Sequence, residues 1–113
     1  MTTITVFRRS DDRIAGYECK GHTGYAESGE DVVCAAVSAL TQSTLNGLLN
    51  VLAAPVDYTI NEEDGYLTVS LGREFPLDKF DGAQLLLKTL VSGLQSVEAG
   101  YPRFVRVIFK ERR

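Results

Sequence analysis

Long uninterrupted hydrophobic runs are missing from this 113-residue chain, and so are low-complexity tracts, internal repeats and Pro/Ser-rich linkers. Without a linker or repeat the chain reads as one domain, residues 1–113, and a chain of this size buries about 60–70% of the surface its unfolded form exposes. The opening stretch, Met1-Thr-Thr-Ile-Thr-Val-Phe-Arg8, lacks the apolar run of a signal peptide. The most apolar segment, Leu48 to Val56, is short and broken by Asn50 and Pro55, so no membrane-spanning helix is expected. The expected location is the cytoplasm, a reducing compartment in which the two cysteines are free thiols rather than a disulfide. Histidine is scarcer still: His22 stands alone. Cys19, His22 and Cys34 would give a zinc ion three ligands with no fourth in view, and a continuing strand would point Cys19 and His22 to opposite faces. No metal and no cofactor are expected.

What is present is charge, unevenly spread. The net charge is −3, but residues 14–102 hold four basic and twelve acidic side chains, a balance of −8. Residues 103–113 carry +4, and Arg8 and Arg9 lie near the other end. An acidic body repels nucleic acid and attracts a basic polypeptide, so no direct nucleic-acid partner is expected.

Residues 3–9 alternate as a strand, Ser10-Asp-Asp12 supplies a turn, and residues 13–20 form a second strand with Ala15, Tyr17 and Cys19 on one face. Gly21, Gly24 and Gly29 then mark a loop. A long helix follows from about Asp31 to Leu52, with Val33, Val37, Leu40, Thr44, Leu48 and Val51 at helical spacing. Beside them, Ala36, Ala39, Ser43 and Gly47 form a small-residue stripe that another element can approach. Residues 56–61 and 66–71 alternate around Glu62-Glu-Asp-Gly65, a hairpin with one wet face. Asp78 is placed to cap a second helix carrying Leu87, Leu90, Leu94 and Val97, stopped by Gly100 and Pro102. Residues 103–110 make a last strand. The order ββαββαβ predicts an α+β, two-layer domain: a mixed five-stranded sheet with two helices.

The segment from Gly21 to Cys34 carries the chemistry. It joins the single histidine, at the end of a strand, to a cysteine in the opening turns of the long helix. A thiol reacts as the thiolate, and both a helix N-terminus and a neighbouring imidazolium favour that anion. The imidazole can then return a proton to a leaving amine, and free backbone N–H groups at the helix end can hold an oxyanion. Ser28-x-x-Asp31 fits a capping box, which puts Cys34 in the second turn; Asp31 as the cap would instead make Cys34 the third helical residue. On spacing alone a cysteine on an alanine-rich helix face is more often a small core residue. Asp31 reads as a cap and Ser38 as a packed helix residue.

Taken together, Gly21-His22 and then Gly29-x-Asp31-Val-Val-Cys34-Ala-Ala-x-Ser38 resembles the ribosomal-processing cysteine protease family, Prp. The chain length, the ββαββαβ order and the small-residue helix after the cysteine are similar to that family over the whole chain. Thr23 departs from the alanine frequent there, without removing a reactive group. The resemblance implies a homodimeric endopeptidase of Firmicutes-type bacteria that removes a short N-terminal extension from a large-subunit ribosomal protein, cutting after an aromatic-containing sequence. It implies that His22 and Cys34 are catalytic and that the loop with Gly21, Gly24 and Gly29 orders around substrate. It also raises Asp31 and Ser38 as supporting residues. The alternative is a non-catalytic ribosome-assembly or ribosomal-protein-binding module, in which His22 and Cys34 are incidental.

Overall fold

The computed structural model describes residues 1–21 and 28–112, with the backbone alone for 28–31. Strands β1 (Thr2–Arg8) and β2 (Ile14–Lys20) are followed by helix α1 (Ser28–Asn46), strands β3 (Val56–Asn61) and β4 (Tyr66–Leu71), helix α2 (Phe80–Gly100) and strand β5 (Val105–Glu111). The ββαββαβ order is the one expected. The sheet runs β3-β4-β2-β1-β5. Its neighbours are antiparallel except β1 and β5, which pair in parallel with Thr2 opposite Val105 and Arg8 opposite Glu111.

Alternation decides which face is covered. Ile4 and Val6, Tyr17 and Cys19, and Leu67, Val69 and Leu71 are buried in one cluster with Val33, Val37 and Leu48 of the first helical segment and Leu87, Leu90 and Leu94 of α2. Both helices therefore cover one face of the sheet. On the other face Thr3, Phe7, Thr68 and Ser70 are half-buried and Thr5 between them is buried. The two helices approach where a side chain is small: the site of a Cβ on Gly47 lies 3.5 Å from Leu86, and that on Gly93 lies 3.4 Å from Leu40.

Three details differ from the expectation. The first helix does not hold one pitch: Gly47–Val51 is a π-helical turn, with the Leu52 N–H donating to the Gly47 carbonyl at 2.8 Å. A wider turn rephases the apolar stripe, so Leu48 is fully buried while Val51 is 84% exposed. Asp78 caps nothing: it sits inside a 3₁₀ turn (Leu77–Lys79), and α2 begins without a side-chain cap. Lys79 instead reaches back to the Leu52 and Ala53 carbonyls, at 3.0 and 2.6 Å, satisfying acceptors that the end of the first helical segment leaves open. Finally, Val32–Val51 is long and apolar enough to cross a membrane by length and composition, with a mean hydropathy of 1.4. Reading the apolar run from Leu48 forward missed this; here Val33, Val37, Leu45 and Leu48 are buried in the core.

One buried clamp ties α2 to the sheet. The Gln84 side chain accepts from the Ile14 N–H at 2.8 Å and donates to the Ile14 carbonyl at 2.7 Å. Ile14 lies where the β1–β2 register shifts, so its backbone groups depend on this amide. Gln84→Met keeps the volume but strands both groups; at about 1–3 kcal/mol for each unsatisfied buried group, chemical denaturation should show a loss of about 2–5 kcal/mol. Gln84→Met as stable as the parent would contradict the clamp.

Candidate active site

Cys34 lies on α1, half-buried, with its Sγ 4.0 Å from the Thr2 Oγ1 at the start of β1. It is the seventh residue of a helix that begins at Ser28. Of the two starts open to the sequence, the structure has the earlier one, and Cys34 sits in the second turn. The helix dipole acts chiefly within the first turn, and at this depth the Cys34 N–H belongs to the intrahelical ladder. The free N–H groups belong to residues 28–31, so the expectation of an oxyanion site formed by the helix end beside the thiol loses its simplest geometry.

The thiol opens onto a groove of about 340 Å³ at one end of the sheet. Cys34, Ser38 and Gln42, spaced by four, form one wall. Ile60, Asn61 and Glu62 of β3 and its turn, with Tyr66 opening β4, form the opposite wall. Cys19, Val37 and Leu67 line the groove beneath these walls and are themselves buried. Ser38 is therefore an exposed wall residue rather than a packed one. The hairpin wall was missed by sequence reasoning. Its alternation gives Val56, Tyr58 and Ile60 a common face, but β3 is an edge strand, and Tyr58 and Ile60 remain 51% and 46% exposed. Their one visible signal is apolar residues alternating along one strand of a hairpin.

Gly21 closes the groove beside Thr2. Its φ is +127°, and a Cβ there would lie 2.7 Å from the Thr2 Cα and closer still to the Met1 carbonyl oxygen. Only glycine fits such a backbone and such an approach. The chain thus leaves β2 directly over the residue that touches Cys34, and His22 is next in sequence. The placement of His22 and Gly24 lies outside the described residues, as do the side chain of Asp31 and hence any part it takes. Gly29 falls in the first turn of α1.

Both cysteines are free thiols. Burial, and then the nearby Cys34, push the Cys19 thiol up to about 11. Among the described residues no group of three or more histidine, cysteine or acidic side chains converges as a metal site would require.

A free thiol presented from a helix into a partly apolar groove is an arrangement that a thiol-dependent hydrolase needs. The family model described as Cysteine protease Prp matches residues 1–106, and the chain belongs to that family of cysteine proteases. The chain is 29% identical to the ribosomal processing cysteine protease Prp of Bacillus subtilis strain 168 over 107 residues, 95% of this chain and 96% of that one. The crystal structure of SMU.848 from Streptococcus mutans superposes with a TM-score of 0.86 at 31% identity, covering 99% of this chain and 96% of the other. The essential ribosomal processing protease Prp from S. aureus, solved with a substrate peptide, shares the fold at a TM-score of 0.85 and 24% identity, covering 97% of this chain and 100% of its own.

Two outcomes follow from this geometry. Gly21→Ala should lower kcat/KM at least about tenfold, because strain at a special backbone position displaces whatever follows it. Gly72→Ala, where a Cβ meets only an Asp57 carboxylate oxygen at 3.5 Å, should stay close to the parent; equal activity of both would discard the steric role. Separately, folded Cys19 keeps its proton up to about 11 whereas an unperturbed cysteine loses it near 9.0. Between those values the unfolded state binds fewer protons, so stability is at its full value below pH 9.0 and falls as pH rises toward about 11. Cys19→Ala should flatten that slope in alkaline denaturation curves.

Proposed function

We propose that this chain removes the short N-terminal extension of a bacterial large-subunit ribosomal protein, with Cys34 as nucleophile and His22 as its proton partner. The observation that carries the reading is the meeting of Cys34, Thr2 and Gly21 at one end of the groove, in a chain of the cysteine protease Prp family. The names borne by its relatives supply the ribosomal substrate. The Cys34 thiolate attacks the scissile carbonyl carbon, and the His22 imidazolium gives its proton to the departing amine, leaving a thioester. The imidazole then takes a proton from water, whose oxygen displaces the thiolate and releases the new carboxylate. With Cys34 in the second helical turn, the histidine is the main activating group. No metal or other cofactor enters these steps.

The groove suits such a substrate. Val37, Ile60, Tyr66 and Leu67 offer apolar surface to an aromatic side chain, and Glu62 stands at the rim next to the exposed Glu63 and Asp64. The carboxylates favour a cationic polypeptide mainly through association rate, while apolar contact supplies most of the affinity. The enzyme works in the cytoplasm as a homodimer, for which the half-buried outer face of the sheet supplies an uncovered surface.

Incubation with ribosomal precursor proteins and mass spectrometry of new N-termini tests the reading. Cys34→Ala and His22→Ala should each abolish processing, by more than about a thousandfold, while circular dichroism reports an unchanged fold. Cys19→Ala should remain active. Loss of activity in all three variants alike, or no new N-terminus with the parent enzyme, would refute the assignment.

A further inference from the structure

Four of the basic residues near the two ends of the sequence, Arg8, Arg9, Lys110 and Arg112, converge in space, whereas Arg103 and Arg106 lie toward the other end of β5. Parallel pairing brings the end of β1 beside the end of β5, with the Arg112 N–H donating to the Arg8 carbonyl at 2.8 Å. β4 ends at the same edge, because Ser70 pairs with Gly16 near the start of β2. Two adjoining hollows there, of about 740 and 180 Å³, are lined by Arg8, Arg9, Arg73, Lys110 and Arg112 against two carboxylates, Asp12 and Glu111. None of the five cations forms an ion pair with a described carboxylate: the salt bridges among the described residues are Arg13–Asp11 and Lys20–Glu18.

These guanidinium groups are held without being neutralised. Arg112 lies over the Phe7 ring at 3.9 Å, Arg8 over the Phe109 ring at 4.3 Å and Arg9 over the Phe80 ring at 5.2 Å. A guanidinium lying over an aromatic face can direct N–H groups outward, parallel to the ring, toward the oxygens of a phosphate; Arg112 also donates one N–H to the Ser70 Oγ at 3.1 Å. Phe109 itself is 36% exposed at the rim, an aromatic surface of the kind on which an unpaired base stacks. The corner lies at the opposite end of β1 from Thr2 and Cys34, six residues or roughly 20 Å away.

We propose that this corner binds the phosphate backbone of RNA, and that through it the protease engages its substrate on an RNA-containing particle. The acidic balance of residues 14–102 confines such contact to the corner and keeps RNA from the groove. The net negative charge, which led to the expectation of no nucleic-acid partner, therefore describes the body and not this edge. The binding step stands without the ribosomal reading above; its use during processing rests on that reading.

Fluorescence anisotropy of the full-length chain with a fluorescein-labelled single-stranded RNA of about 20 nucleotides tests the binding step. About four phosphate contacts give a slope of roughly −3 in log K against log salt, so raising salt from 50 to 200 mM should weaken binding about 50-fold. Arg9→Gln with Arg73→Gln should weaken it at least about tenfold, without disturbing the Arg112–Phe7 stack, and Glu111→Gln should strengthen it. Cleavage of a short free peptide should be unchanged in these variants, whereas cleavage of the precursor on an RNA-containing particle should slow as RNA affinity falls. Absence of RNA binding at 50 mM salt, equal binding by the double variant, or tighter binding of anionic lipid vesicles or polyglutamate than of RNA would overturn the proposal. Peptide cleavage without RNA binding would overturn this inference alone; RNA binding without any peptide cleavage would overturn the proteolytic reading alone.

Discussion

The passage of Gly21 across Met1 and Thr2 governs how the groove is put together. A strand that ends on an ordinary residue would have to swing away from its neighbour; without a Cβ and with a positive φ, this one crosses it. Thr2 is thereby enclosed from two sides, its hydroxyl against the Cys34 sulfur and its N–H donating to the Phe104 carbonyl at 2.8 Å. Strand start, strand end and helix face are brought together by backbone approach rather than by charge. The Cys34 thiol is positioned by packing.

Much of this was legible in the residues, because alternation and helical spacing are local. The strands at 56–61 and 66–71, the leucine ladder of α2 and the order of elements all follow from side-chain periodicity. What escaped depends on partners distant in sequence. Val51 continues a perfect helical stripe and is nonetheless exposed, because the π-helical turn at Gly47–Val51 shifts the phase. Asp78 looks like a cap, but Lys79 and a 3₁₀ turn start α2 by another route. Tyr58 and Ile60 share a face with Val56, yet only the strand order reveals that β3 is an edge and that Ile60 becomes a groove wall. His22 and Cys34 read as a candidate pair only through the wider pattern around them, since one histidine and one cysteine twelve positions apart carry little signal by themselves.

The two ends of the sheet differ in character. One holds a thiol, small polar wall residues and an acidic hairpin turn; the other holds arginines lying over aromatic rings. A net charge of −3 averages over both, and only the pairing of β1 with β5 shows that Arg8 and Arg9 share a surface with Lys110 and Arg112. Pocket shape and local charge therefore say more about partners than composition does.

The parallel pairing of β1 with β5 also has a bearing on timing. β1 is interior to the sheet, and one of its two flanks is filled only by Val105–Glu111. During synthesis that flank stays open until Val105–Glu111 has emerged, and closing it brings together segments about a hundred positions apart, the slow kind of contact in folding. Thr2, the residue that touches Cys34, is pinned by Phe104, just before β5. Until β5 has paired, the Cys34 end of the groove lacks one of the supports of Thr2.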